Sequence, residues 1–122
     1  MGREGPETRL INRARKKATE RYGARLVWIK HHGSQFARAG VSDLICCLDG
    51  VFVAIEVKAP ESYGGSVERA LEQGPTVKQR SFVAGVVESG GVAGFAATEE
   101  QILAFFEEAD QRKKKKGKKV RA

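Results

Sequence analysis

The sequence predicts one α/β domain in which a central mixed β-sheet is flanked by helices. Three observations lead to it. Apolar positions recur with helical spacing towards both ends of the chain and as short dense runs between them, in the order α-β-β-β-α-β-α. Asp49-Gly50 separates two of those runs, and Asp-Gly is the strongest short-range sign of a two-residue β-hairpin. A length of 122 residues, with 41% hydrophobic and 30% charged residues, suits a single compact domain with a real core and argues against general disorder.

The elements follow in order. Over residues 7–22 Leu10, Ile11, Ala14, Ala18 and Tyr22 recur at three and four, and Gly23 stops the pattern, so a helix is expected there. Residues 25–30 (RLVWIK) form a β-prone run, and residues 31–40 form an aperiodic loop. The stretch GVSDLICCLDGVFVAIEVKAP, residues 40–60, then reads as a hairpin of two strands. Residues 59–74 make a 16-residue connection marked by Pro and Gly, with room for a helical turn over 67–72. Residues 76–89 are expected as a second helix and 92–97 as a further strand. A third helix is expected over 99–113, packed through Ile102, Leu103, Phe105 and Phe106.

Charge is unevenly distributed. Residues 112–122 (RKKKKGKKVRA) hold eight of the 22 basic residues and no acid, which leaves 14 basic against 15 acidic residues in 1–111. A globular domain over 1–111 and a basic, disordered tail over 112–122 is therefore the expected organisation. Residues 1–39 carry ten basic and three acidic groups, and a basic first third with a basic tail suits a polyanion such as DNA. The competing account is a solvated tail and ordinary surface lysines. No run approaches the roughly 20 apolar residues of a membrane span, and the first residues hold no apolar leader, so no membrane association and a cytoplasmic location are expected. Cys46 and Cys47 are adjacent, point to opposite sides of a strand and read as small core residues rather than a metal pair.

The hairpin holds three charges that an apolar strand pair does not need. If Asp49 and Gly50 are a type I′ turn, Leu48 faces Val51, and stepping outward places Asp43 across from Glu56 on one face, roughly 5 Å apart. Lys58 shares that face by strand alternation. Opposed like charges destabilise a sheet, and a divalent cation compensates: hard oxygen ligands at this separation can share one Mg²⁺, which keeps water and phosphate oxygens in its other positions. Such an ion would serve phosphodiester hydrolysis, with Lys58 placed to orient water or to neutralise the transition state. The competing account is an exposed hairpin end in which Lys58 pairs with one acid.

An acid opening one strand, a short turn and Glu-x-Lys closing the next resembles the PD-(D/E)xK nuclease superfamily, and GVSDLI, VAIEVKAP and TVKQ together resemble its VRR-Nuc branch. Archaeal Holliday junction resolvases are related in architecture. The resemblance implies a restriction-endonuclease-like core, Asp43, Glu56 and the Val57 carbonyl as Mg²⁺ ligands, with Mn²⁺ able to substitute, and Lys58 as the catalytic lysine. Ser42 stands where the family has proline, a position that shapes backbone rather than touching metal.

A first-helix glutamate also belongs to the family pattern. At about 100° per residue the apolar stripe of the first helix centres near Glu7 and leaves Glu20 on the opposite face, so Glu7 is assigned to the site. Its alternative role is a first-turn acid set against the helix dipole. Gln79 matches the family's helix glutamine, and it also completes a capping box with Thr76. Lys30, His31, Ser34 and Arg38 are candidate DNA-phosphate contacts, and Trp28 is read as core or dimer interface rather than a stacking platform.

The expected function is a Mg²⁺-dependent DNA endonuclease, structure-selective in the manner of a Holliday junction resolvase, acting as a homodimer in bacterial or phage recombination or repair. Flap, nicking or restriction and homing activity is the alternative within enzymes. A non-catalytic, basic DNA-binding accessory protein is the alternative outside them.

Overall fold

The computed structural model describes residues 4–30 and 40–121, with side chains through Arg112. Its elements are α1 (Pro6–Tyr22), β1 (Leu26–Trp28), β2 (Leu44–Leu48), β3 (Val51–Val57), α2 (Val67–Gln73), α3 (Val77–Glu88), β4 (Val92–Ala96) and α4 (Glu99–Arg121), with 3₁₀ turns at Gly23–Arg25 and Pro60–Tyr63. The sheet runs β1-β2-β3-β4, antiparallel through the first three strands and parallel between β3 and β4. The parallel step follows from the crossover through α2 and α3, which returns the chain to the starting edge of β3 before β4 begins.

The hairpin register is the expected one. Leu48 faces Val51 and Leu44 faces Ile55, with Asp49 at φ +50° and Gly50 at φ +84°, the left-handed pair that a type I′ turn demands. That register sorts β2 and β3 into two faces. Leu44, Cys46, Leu48, Val53, Ile55 and Val57 join one core with Leu10, Ala14, Ala18 and Tyr22 of α1 and Ile102, Phe106 and Ala109 of α4. Ala54 and Glu56 face the other way, towards α3. On β4 the close approach of α4 requires glycine, because a Cβ on Gly94 would lie 2.4 Å from the Phe105 ring.

Ion pairs tie α1 to α4. Arg13 and Lys17 both reach Glu99, Arg21 reaches Glu107 at 2.7 Å, and Arg25 bridges Asp49 of the hairpin turn and Asp110. Lys17 lowers the Glu99 carboxyl below the usual carboxylate range through that hydrogen bond. Much of the positive charge in the first third, read as a polyanion signal, is thus matched within the fold by acids of α4.

The connection over 59–74 opens with a 3₁₀ turn and carries the helical turn expected over 67–72 as α2, whose cap Ser66 accepts the Arg69 N–H at 3.1 Å. Two expectations need correction. The third helix does not end at Lys113; its backbone continues to Arg121, because Lys and Arg are good helix formers and extending an existing helix avoids the cost of nucleation, against about 1 kcal/mol for Gly117. The first strand contracts to Leu26–Trp28, since Arg25 belongs to the preceding turn, although Ile29 N–H still donates to Ile45 O at 2.9 Å.

Candidate metal and phosphodiester site

The site forms where β2 begins and β3 ends. One step beyond the Leu44–Ile55 pair, Asp43 lies across from Glu56, and its Oδ2 accepts the Val57 N–H at 2.9 Å. A residue's N–H and C=O leave a strand on the same side, so the Val57 carbonyl also points along the β2 edge. Lys58 N–H points to the other edge, donating to Ala96 O at 2.9 Å.

Burial separates the two acids. Asp43 is exposed, whereas Glu56 is 4% and Lys58 9% exposed. Glu56 Oε2 accepts from Gln79 Nε2 at 3.0 Å and lies 3.5 Å from Lys58 Nζ. Its Oε1 is buried with no hydrogen-bond partner. Desolvation, reinforced by the Asp43 carboxylate and only partly opposed by Lys58, pushes the Glu56 carboxyl up to about 8. Burial and the facing Asp43 carboxylate thus favour the neutral form of the Glu56 carboxyl, which relieves the opposed charges the hairpin register imposes.

Two glycines that sequence reasoning passed over position the charged groups. A Cβ on Gly74 would lie 2.5 Å from Ala70 O and 2.9 Å from both Cγ and Cδ of Lys58, so the glycine after α2 leaves room for the helix end and for the lysine stem together. Gly40, at φ +85°, rests on the first turn of α3, where a Cβ would lie 2.5 Å from Lys78 O. That contact fixes the approach to Asp43 against the helix that carries Gln79. In the sequence both glycines stand at loop boundaries, where a turn is the ordinary explanation.

Gln79 completes the expected capping box and also reaches Glu56. Its Oε1 accepts the Thr76 N–H at 2.9 Å, Thr76 Oγ1 accepts the Gln79 N–H at 3.1 Å, and Nε2 is left to hold Glu56. Glu7 is half-buried and Glu20 exposed, as the helix-face argument requires. Glu7 Oε2 accepts the Ala59 N–H in a long contact of 3.4 Å, beyond Lys58 at the end of β3. Among the described residues no three His, Cys, Asp or Glu side chains converge as a metal cage. The donors assembled are one exposed carboxylate, one buried carboxylate with an unmatched oxygen and a backbone carbonyl, a hard set suited to an oxygen-seeking divalent ion.

Of the candidate phosphate contacts, Lys30 is exposed just beyond β1, and His31, Ser34 and Arg38 lie outside the described residues. Trp28 is half-buried at the edge of the core, packing edge-on against Phe106 with centroids 5.8 Å apart and donating Nε1–H to Thr19 Oγ1 at 3.0 Å. Cys46 is buried and Cys47 half-buried, both free thiols, with burial pushing Cys46 up to about 12. No helix among the described residues is long and apolar enough to cross a membrane. The chain matches no family model, no curated protein and no solved structure.

Proposed function

We propose that the chain is a Mg²⁺-dependent DNA endonuclease that hydrolyses phosphodiester bonds, acting on branched or junction-containing DNA. The observation that carries the reading is Glu56: a buried carboxylate with one oxygen held by Gln79 and Lys58 and the other unmatched beside Asp43. Buried acceptors left without a partner cost roughly 1–3 kcal/mol, so such a group calls for a ligand. Asp43, Glu56 and the Val57 carbonyl would hold Mg²⁺, with Mn²⁺ able to substitute. When bound, the ion supplies a lowered water pKa and offsets charge developing on the phosphate.

The chain's own groups divide the remaining work. Gln79 fixes the Glu56 rotamer from a capped helix end, so the ligand oxygen is held before any ion arrives. Lys58 delivers a buried ammonium on the same face, close enough to Glu56 to reach a non-bridging phosphate oxygen or the attacking water. Glu7 steadies the end of β3 through Ala59 and stands on the open side of the same corner.

A domain this small has little room for a separate sequence-reading module, which favours recognition by phosphate contacts and DNA shape. A two-fold homodimer would present two sites to the two strands of a junction, and the exposed Val27 and Phe52, in register through Cys47, offer it an apolar row. Bacterial or phage recombination or repair in the cytoplasm is the setting this reading implies.

One observation favours the accessory-protein reading: Lys58 already pairs with Glu56, so the cluster could be structural. Incubation of labelled four-way junction, flap, splayed-arm and linear duplex DNA with Mg²⁺, Mn²⁺ or chelator separates the two. Metal-dependent cleavage lost in Glu56→Gln is expected; binding without cleavage on every substrate, with no melting shift on adding either metal, would leave the accessory protein.

A further inference from the structure

We infer that the cleft beside Asp43 seats a DNA phosphate next to the one being cleaved, gripped by Arg15 and Lys30; this rests on the nuclease reading for its neighbour but not for its own binding. The cleft has a volume of about 280 Å³ and is lined by Arg15, Trp28, Lys30 and Asp43 over an apolar floor of Leu44 and Ile45. It shares the exposed Asp43 with the candidate site.

Arg15 differs from its neighbours on α1. Arg13, Lys17 and Arg21 are engaged with acids of α4, and Arg25 with the hairpin turn and Asp110, whereas Arg15 makes no ion pair among the described residues. Its guanidinium instead lies over the Trp28 ring, 4.8 Å from the centroid. Trp28 is itself held by Phe106 and Thr19, so the platform under Arg15 is rigid. Stacking engages the flat face of a guanidinium and leaves its N–H rim for an anion, and a pre-stacked arginine loses less freedom when it grips a phosphate.

Lys30 adds a second cation to the cleft lining. Among the described lining residues, two cations face one carboxylate, that of Asp43, a net positive character that suits a backbone phosphate rather than a metal. A phosphate held here would fix the direction in which a strand crosses Asp43 and Glu56. Arg15 and Lys30 are thus positioning residues for the scissile bond and binding residues for its neighbour.

The test uses the full chain with labelled duplex and four-way junction in Ca²⁺, across a salt series. Arg15→Ala and Lys30→Ala should each weaken binding about fivefold to tenfold and reduce the slope of log affinity against log salt by about one. Lys16→Ala, which removes an exposed charge from α1 outside the cleft, should change affinity by less than about twofold. Arg15→Gln carries the same expectation as Arg15→Ala if the latter unfolds. Arg15 variants that bind within twofold of wild type, or a Lys16→Ala loss as large as theirs, would overturn the cleft. If wild type cleaves nothing with any metal while Arg15→Ala still loses binding, the nuclease reading falls and the phosphate seat stands. If wild type cleaves and Arg15→Ala alters neither affinity nor KM, the seat falls and the nuclease stands.

Discussion

Gln79 donates its Nε2 to Glu56 Oε2 at 3.0 Å while its Oε1 completes the cap of α3, so one side chain joins a helix terminus to a buried strand carboxylate. The two functions can be separated. Thr76→Ala removes the reciprocal cap and should cost about 1 kcal/mol of stability with cleavage largely retained. Gln79→Ala should also release Glu56 and lower the cleavage rate by about 10- to 100-fold, with weaker metal dependence. Thermal melts and single-turnover rates on the two variants check this; equal loss of activity in both would reduce Gln79 to a capping residue.

Glu56→Gln and Lys58→Ala should each abolish detectable cleavage while the fold persists, because both side chains face the site rather than the main core. Glu7→Ala should reduce the rate partially and Glu20→Ala hardly at all, since only Glu7 reaches the end of β3. Circular dichroism beside a rate assay measures both, and the reverse order for the two helix acids would show that α1 contributes through Glu20.

A methyl group at Gly74 would press on the end of α2, with its Cβ 2.5 Å from Ala70 O, and on the Lys58 stem, 2.9 Å from Cγ and Cδ. Gly74→Ala should therefore slow cleavage by roughly tenfold or more at saturating DNA, while the melting shift on adding Mn²⁺ survives. Unchanged turnover in this variant would mean that the lysine can act from another rotamer.

The raised Glu56 carboxyl fixes the sign of a pH effect. From its ordinary value of 4.5 up to about 8 the folded chain keeps a proton that the unfolded chain has lost, so metal-free stability should fall as pH rises through that window. A drop in Tm on the order of 5 °C between pH 5 and pH 9 is expected, reduced in Glu56→Gln. The melting shift on adding Mg²⁺ should grow over the same range, since the ion needs the deprotonated pair. A metal-free Tm that rises with pH, or a Mg²⁺ shift independent of pH, contradicts the assignment.

Removing Lys113 to Ala122 takes away seven of the chain's 22 basic residues. Binding to junction and to duplex should weaken by a similar factor, with a flatter salt dependence, while cleavage at saturating DNA is maintained. Affinities for the two substrates at fixed salt provide the measurement, and a changed junction-to-duplex ratio would make this end of α4 a recognition element.

The sequence by itself determined what depends on neighbours along the chain. Asp49-Gly50 dictates a turn with two left-handed residues, and that turn alone sets every opposed pair up to Leu44 and Ile55, with Asp43 and Glu56 one step beyond. The period of α1 likewise determined that Glu7 turns inward and Glu20 outward, and Thr76 to Gln79 announced their own cap. Only the tertiary structure decided what meets across long separations. The engagement of Arg13, Lys17 and Arg21 by acids of α4, the packing of Lys58 on Gly74, the seat of Gly40 on Lys78 and the stacking of Arg15 on Trp28 all join residues that no local period relates. The physical reason is one of range: turn dihedrals and helical spacing act over a few residues, whereas these contacts appear only once burial of the common core has brought distant segments within a few ångströms.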